Sequence, residues 1–531
     1  MQKNIAVALL LSFGVLILWD KFILQPQRQV MTRQTASVEK DASLSQSSSA
    51  APSAPAPQTG PASYPSTVRK SVESKKEEIL FESAKNRVRF DPVGASIDQW
   101  ELEDKGRFVA IAAQVPGLPR PLETFPDMEF QLVKKDPNGV VFEGRRPDGL
   151  VVTKKFVIDG SGSFHAVELT LKNTGSDPLD VSWAMGWSPG LENGMGKDER
   201  TERVLVCDSP KLIQLKPGKQ KPKEYDGPSK WWALDSQYYI VAFIEEGQNV
   251  HIISNKHGKR IEAIKTTYVK LPPGSAEVFR SRLFIGPKGY ADLKKLGLDL
   301  ERSVDFGFFG PIGLFLLKLL YAFHRVTHNY GWAIILLTVC IQVLTFPLTL
   351  RSLKHGIQMR ELQPQMKKLQ EMYKGDPKRM NVEVMHLYKK HGMKFMGMEG
   401  CFPVLLQIPI FFALYTTLRN AHELCGAPWI GWIRDLSIHD PYFVLPILMG
   451  IGMFLQQKMS GAALDPAQAK MMAFFPIILT FSFLKLPSGL VLYWVTSSVC
   501  TITTQTVLMK KLGHHLPPVV EAGQKGGTSR A

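Results

Sequence analysis

The chain has 531 residues, 44% hydrophobic and 21% charged, and its Lys and Arg exceed Asp and Glu by 64 to 48, a formal net charge of +16. That length implies two or more units, and the positive balance suits anionic lipid head groups or RNA, unless it serves only topology and solubility. The five cysteines are scattered without a CxxC or a metal-ligand spacing, so neither a disulfide framework nor a zinc site is indicated.

Residues 4–19 form a short apolar run behind Lys3. It reads as a signal-anchor helix over 1–24 with its N-terminus inside, because Asp20-Lys21 follows rather than a small-x-small site; a cleaved signal peptide is the alternative. Residues 25–78 are rich in Gln, Ser, Ala and Pro and cannot bury enough apolar surface to offset their ordering entropy, so they read as a disordered tether. Residues 79–303 carry short alternating or β-branched runs at 88–90, 130–133, 139–142, 151–153, 155–158, 166–172, 250–254 and 267–270, with turn formers in Asn173-Thr-Gly-Ser-Asp-Pro178. This spacing predicts an all-β sandwich. His165 and His251 read as exposed or satisfied strand residues, since no convincing carboxylate pair accompanies them.

Residues 304–328 hold an apolar run with Lys318 in its middle and His324, Arg325 and His328 at its close. That pattern predicts a helix lying in the outer membrane interface with Lys318 snorkelling. Residues 329–350 are long enough to cross a bilayer at ~1.5 Å per residue. Residues 351–396 read as two amphipathic helices, with Leu362, Met366 and Leu369 at helical spacing in the first and Val384, Leu387 and Tyr388 in the second. Gly375-Asp376-Pro377 divides them, with Gly suited to a helix end, Asp to an N-cap and Pro to a first helical position. Lys and Arg outnumber Asp and Glu by eleven to four over 351–394, which puts this loop in the cytoplasm by the positive-inside rule. Residues 397–511 hold four further spans, at 401–418, 442–456, 471–486 and 490–509, with an outer loop at 420–440. Residues 512–531 form a basic cytoplasmic tail. The total is six spans with both termini inside.

Several motifs stand in an order that resembles the YidC membrane protein insertases: Leu362-Gln-Pro, Gly400-Cys-Phe-Pro, Gln407-Ile-Pro-Ile-Phe, Leu445-Pro-Ile-Leu-Met-Gly450, Gln457-Lys-Met459 and Pro487-Ser-Gly-Leu-Val-Leu-Tyr493. The likeness is close over 329–511 and rests on layout before that, apart from short stretches such as the one holding Trp231, Ala233, Gln237 and Tyr238. It implies an α-helical polytopic protein of the bacterial inner membrane, with six transmembrane helices and an all-β periplasmic sandwich similar to sugar mutarotases. Such a fold does not bring the sugar chemistry with it. The implied function is membrane protein insertion and chaperoning through a hydrophilic groove open to cytoplasm and lipid, alone or with the Sec translocon. The implied partners are nascent membrane proteins, the ribosome, the Sec translocon and the phospholipid bilayer, with no DNA, no cofactor, no metal and no catalytic residue. The rival readings are a solute transporter, for which no internal repeat is found, and a membrane-anchored carbohydrate-binding domain, for which six spans are excessive.

The groove candidates are polar residues inside the spans: Gln342 with Thr338 and Thr345 one turn either side, Gln407 in the next span, and Tyr493, Trp494, Ser497, Thr501 and Thr504 in the last. Tyr493, Ser497, Thr501 and Thr504 share one helical face. A wet groove would lower the cost of a charge at the bilayer centre, ~2.5–3.5 kcal/mol on insertion scales. The competing reading has these hydroxyls bonding their own helix or packing helices together. The family's groove usually carries an Arg five positions before the Pro that ends the second span. That Pro matches Pro347, so the position is Gln342 and the expectation is a neutral, hydrated groove. The resemblance also assigns a greasy slide to the third and fifth spans, with Leu405, Ile408, Phe481 and Phe483 as candidates, or else ordinary packing residues. Arg351, Lys367, Lys368, Lys389, Lys390, Lys510 and Lys511 are the candidates for ribosome or lipid contact. Cys207 and Cys425 fall on the same outer side, as free thiols or as a disulfide that nothing else supports.

Overall fold

The structure, a computed structural model, describes residues 79–511 except 114, 116, 161, 189, 192–201, 218–220, 258–259, 391–397 and 461–465, and gives the backbone alone at 351, 353–361, 363, 367, 377, 398–406, 460, 466–473 and 511. The expected anchor, tether and tail lie outside the described residues.

Strands β1 (Ile79–Glu82), β2 (Asn86–Asp91), β3 (Ser96–Asp104) and β4 (Arg107–Ala113) form a four-stranded antiparallel meander. A second, 11-stranded sheet runs in the order β11 (Lys211–Leu215), β10 (Arg203–Asp208), β12 (Lys223–Asp235), β13 (Tyr239–His257), β15 (Ala276–Pro287), β8 (Phe164–Asn173), β7 (Leu150–Ile158), β6 (Gly139–Arg145) and β5 (Gln131–Asp136). From β13 it branches through β14 (Arg260–Leu271) to β9 (Leu179–Trp187). Inward side chains of both sheets meet in one core: the Phe90 ring lies 4.9 Å from Phe156 and Trp100 lies 6.3 Å from Trp187. The predicted sandwich is therefore present.

Strand β7 differs from the sequence reading, which split it into 151–153 and 155–158. It is one strand with alternating burial, and Lys154 occupies an inward position. Lys154 Nζ donates to the Leu122 carbonyl and the Thr124 hydroxyl, and burial holds its pKa well below the ordinary lysine range. A hydrogen-bonded lysine at a core position hides a continuous strand from a hydrophobicity pattern. His165 is buried edge-on against Trp100 with its Nδ1 accepting from the Asp159 N–H at 3.3 Å, and burial pushes its pKa down to about 4. Cys207 and Cys425 are buried and are not joined in a disulfide.

After the sandwich come helices α1 (Tyr290–Lys295), α2 (Gly310–Thr327), α3 (Tyr330–Met372), α4 (Pro377–Lys390), α5 (Met398–Asn420), α6 (Val444–Ser460), α7 (Pro466–Phe483) and α8 (Ser488–Lys511). Helix α2 buries Gly313, Leu316, Leu317 and Leu320 against its neighbours and leaves Lys318 exposed, the two-faced pattern expected for it. Helix α3 starts on Asn329, whose side chain accepts from the Gly331 and Trp332 amides at 2.9 and 3.3 Å. It then runs unbroken for 43 residues, through Pro347 and Pro364. The sequence reading ended an element at 350; the change there is in polarity, and a proline forfeits one backbone bond without having to end the helix. The hairpin turn is as read: Asp376 accepts from the Lys378 and Arg379 amides at 3.1 and 3.2 Å. Tyr388 then reaches back to the Met366 sulfur at 3.3 Å, joining α4 to α3.

Among the described residues one helical stretch, Tyr330–Leu350, is long and apolar enough to cross a membrane by length and composition; Val444–Met459 and Phe474–Phe483 are shorter apolar stretches. The expected six spans thus do not all meet that test. In α8 the cause is visible in Thr496, Ser497, Ser498, Thr501, Thr503 and Thr504, hydroxyls that lower its apolarity without breaking it.

Candidate functional site

In helices this apolar, a polar side chain that faces a neighbour must find its partner there. Helix α8 supplies two such partners one turn apart. Gln342 of α3 donates from Nε2 to the Ser497 hydroxyl at 2.6 Å, and Gln407 of α5 donates from Nε2 to the Tyr493 hydroxyl. Tyr493 is 1% exposed, while Gln342, Gln407 and Ser497 are half-buried. Three helices are therefore cross-linked by a seam of neutral hydrogen bonds. The seam keeps spare capacity, since the glutamine carbonyls take no part in these two bonds and can accept, and a hydroxyl has both donor and acceptor positions.

The remaining hydroxyls divide. Thr338 is fully buried and bonds the Ile334 carbonyl at 2.7 Å, Thr345 bonds that of Ile341 at 2.9 Å, and Thr501 bonds that of Ser497 at 2.9 Å. These three satisfy themselves on their own helix. Thr504 lines a lateral cleft of about 400 Å³ between α3 and α8, together with Gln342, Phe346, Thr349 and Val499.

Trp494 packs with Phe411 and Phe483, ring centroids 5.2 and 5.3 Å away, where α5, α7 and α8 meet. Phe483 is 6% exposed, so it belongs to this aromatic cluster and not to an open face, unlike the slide position expected for it. Ile408 and Phe481 are 45% and 70% exposed; Leu405 lies on α5 where only the backbone is described. Lys368, Lys389, Lys390 and Lys510 are exposed, and the side chains of Arg351, Lys367 and Lys511 lie outside the described residues.

The sequence reading missed how α6 closes on its neighbours. A side chain at Gly450 would collide with Thr480 of α7, and one at Gly452 would come within 3.0 Å of Ser498 of α8. Gln456 adds a bond to the Ser498 carbonyl at 3.2 Å. The Gly-x-Gly spacing in an apolar run was the available signal.

A family model described as the 60Kd inner membrane protein matches residues 322–515, and one described as the YidC periplasmic domain matches residues 116–320. The membrane protein insertase YidC of Endomicrobium trichonymphae is 33% identical over 527 residues, covering 96% of this chain and 98% of that protein. This chain belongs to the YidC membrane protein insertase family. The YidC of Geotalea uraniireducens is 37% identical over 398 residues, covering 72% of this chain and 73% of that one. Membership takes in both the helical part and the sandwich, and with them an inner-membrane protein that carries a periplasmic domain. A solved structure of an active YidC insertase aligns with TM-score 0.40 at 18% identity, covering 81% of this chain and 92% of that chain. A galactose mutarotase-like protein from Lactobacillus casei aligns with TM-score 0.29 at 12% identity, covering 40% of this chain and 100% of that one. At these scores neither likeness bears on the sandwich's activity.

Proposed function

We propose that this family member inserts membrane proteins along the seam of α3, α5 and α8, where a client's hydrophilic tail exchanges water for Gln342, Gln407, Tyr493 and Ser497. The observation that carries the reading is the pair of interhelical bonds Gln342–Ser497 and Gln407–Tyr493 in the middle of apolar helices. All four groups are neutral, so the seam favours neither sign of charge in the tail. It acts by hydration and hydrogen bonding, where bare lipid would charge ~2.5–3.5 kcal/mol for an ionised side chain.

In this reading the six spans are 1–24, 329–350 and four within 397–511. The 79–303 sandwich is periplasmic behind the 25–78 linker, 304–328 lies in the outer interface, and 351–396 and the 512–531 tail are cytoplasmic. The face of α2 that exposes Lys318 together with the apolar Ile312 and Phe315 supports the interfacial assignment. Ile408 and Phe481, with Leu405, give the client an apolar path into lipid; Phe483 and Trp494 back that path as packing. Exposed Lys368, Lys389, Lys390 and Lys510, with Arg351, Lys367 and Lys511, meet the ribosome or lipid head groups, and the Sec translocon is a second route for clients. Insertion makes and breaks no covalent bond, so the chain is not an enzyme.

The test is purified full-length protein in liposomes, offered a small membrane protein with a short translocated tail and neither ATP nor an ion gradient. Insertion well above that of empty liposomes is expected. Insertion no better than empty liposomes contradicts the reading and leaves solute transport as the rival.

A further inference from the structure

The contacts between the sandwich and the helices converge on one turn. Helix α5 ends at Asn420, and the last carbonyls of a helix have no partners within it. A single 3-10 turn, His422–Leu424, follows. Lys105 of the sandwich donates from Nζ to the carbonyls of His422, Glu423 and Cys425, at 2.9, 3.1 and 2.6 Å. A lysine ammonium has three protons, and each has an acceptor here. Gln237 donates to the Arg419 carbonyl at 2.8 Å, and Asn420 donates to the Asp305 carbonyl at 2.7 Å. Beside them His422 Nε2 and the Tyr239 hydroxyl both meet Asp104 Oδ2 at 2.8 Å, with His422 5% and Asp104 8% exposed.

The backbone at Lys105 bears on the same point. Lys105 and Gly106 are the two residues between β3 and β4, with φ of 53° and 81°. Two-residue turns of this hand favour Asn-Gly or Gly at both positions, and a lysine at positive φ is uncommon. The position aims the ammonium at the 3-10 turn that follows α5, whose carbonyls it binds.

We propose that Lys105 is a positioning residue: the β3–β4 turn caps the 3-10 turn that follows α5 and so holds the outer end of that helix in place, which makes the periplasmic sandwich a working part of the insertion machinery. The capping stands on the geometry alone; that α5 borders the client path rests on the function proposed above.

The test uses the full-length protein in phospholipid vesicles, as wild type, Lys105→Met, Lys105→Arg and Lys134→Met. The last removes an exposed charge from β5 of the same sandwich. Two quantities are read, hydrogen exchange at the amides of 421–427 and insertion of one client. Lys105→Met is expected to speed that exchange at least about tenfold, the factor for losing one charged hydrogen bond, and to lower insertion several-fold. Lys105→Arg recovers part of both, and Lys134→Met matches wild type. Unchanged exchange in Lys105→Met overturns the capping; faster exchange with full insertion overturns the positioning role. If Lys105→Met does not accumulate, Gln237→Ala carries the test, with faster exchange and weaker insertion supporting the joint and no change in either overturning it. A wild type that inserts nothing sinks the functional reading instead, while exchange still tests the cap.

Discussion

Tyr493 is 1% exposed, and its hydroxyl accepts from the Gln407 amide. Tyr493→Phe strands that amide among apolar helices, where such interhelical bonds are worth about 0.6 kcal/mol on average and up to about 1.7 kcal/mol. Replacing both partners, as Tyr493→Phe with Gln407→Leu, should cost less than the two single changes added together, because no polar group is left unpaired. Unfolding of the four proteins in detergent micelles measures the coupling; strictly additive losses would mean the pair does not interact. At this scale the sequence located the groups but not their partners. Tyr493, Ser497, Thr501 and Thr504 do share a helical face, yet it is the first two that hydrogen-bond side chains of other helices, while Thr501 bonds its own. Which hydroxyl faces a neighbour depends on the rotation of α8 in the bundle, and periodicity cannot supply that.

Elements were legible where a local rule governs them. Asp376 and Pro377 announced the start of α4, since an N-cap and a first-turn proline act within one helical turn. Elements were misread where tertiary contacts override the pattern: Lys154 split β7 because its acceptors, Leu122 and Thr124, lie some thirty residues away, and polarity at 351 divided α3 although the backbone continues. The hairpin of α3 and α4 carries the prediction at this scale. Its exposed lysines draw on electrostatics that act over about 30 Å at 0.01 M salt but only about 10 Å at 0.1 M. Reversing Lys368, Lys389 and Lys390 to Glu should weaken ribosome co-sedimentation and client insertion, most clearly at low salt. Unchanged binding and insertion at low salt would remove the hairpin from ribosome contact.

Across the whole molecule, composition and motif order gave the division into sandwich and helices, and the family match agrees with it. The joint between the two parts was not legible. His422 and Asp104 are 318 residues apart in the chain, and nothing in either stretch names the other. The exposure of the proposed slide residues was only partly legible, since Phe481 is exposed while Phe483, two residues on, is buried against Phe411 and Trp494. Alternation of that kind on a helix end follows from which neighbour lies closest, and is not carried by residue type. In the proposed function, what ties these parts together is the neutral seam that Gln342 shares with Ser497.

The most direct measurement of that claim is insertion of paired clients, identical except for a charged or an uncharged tail, by reconstituted wild type, Gln342→Leu and Gln342→Arg. A seam that works by hydration predicts that Gln342→Leu loses the charged-tail client by about tenfold more than the uncharged one, since it removes a polar group where desolvation costs most. It predicts that Gln342→Arg still inserts both, because water in the seam can solvate the guanidinium. Equal losses for the two clients in Gln342→Leu, or an inactive Gln342→Arg, would contradict it.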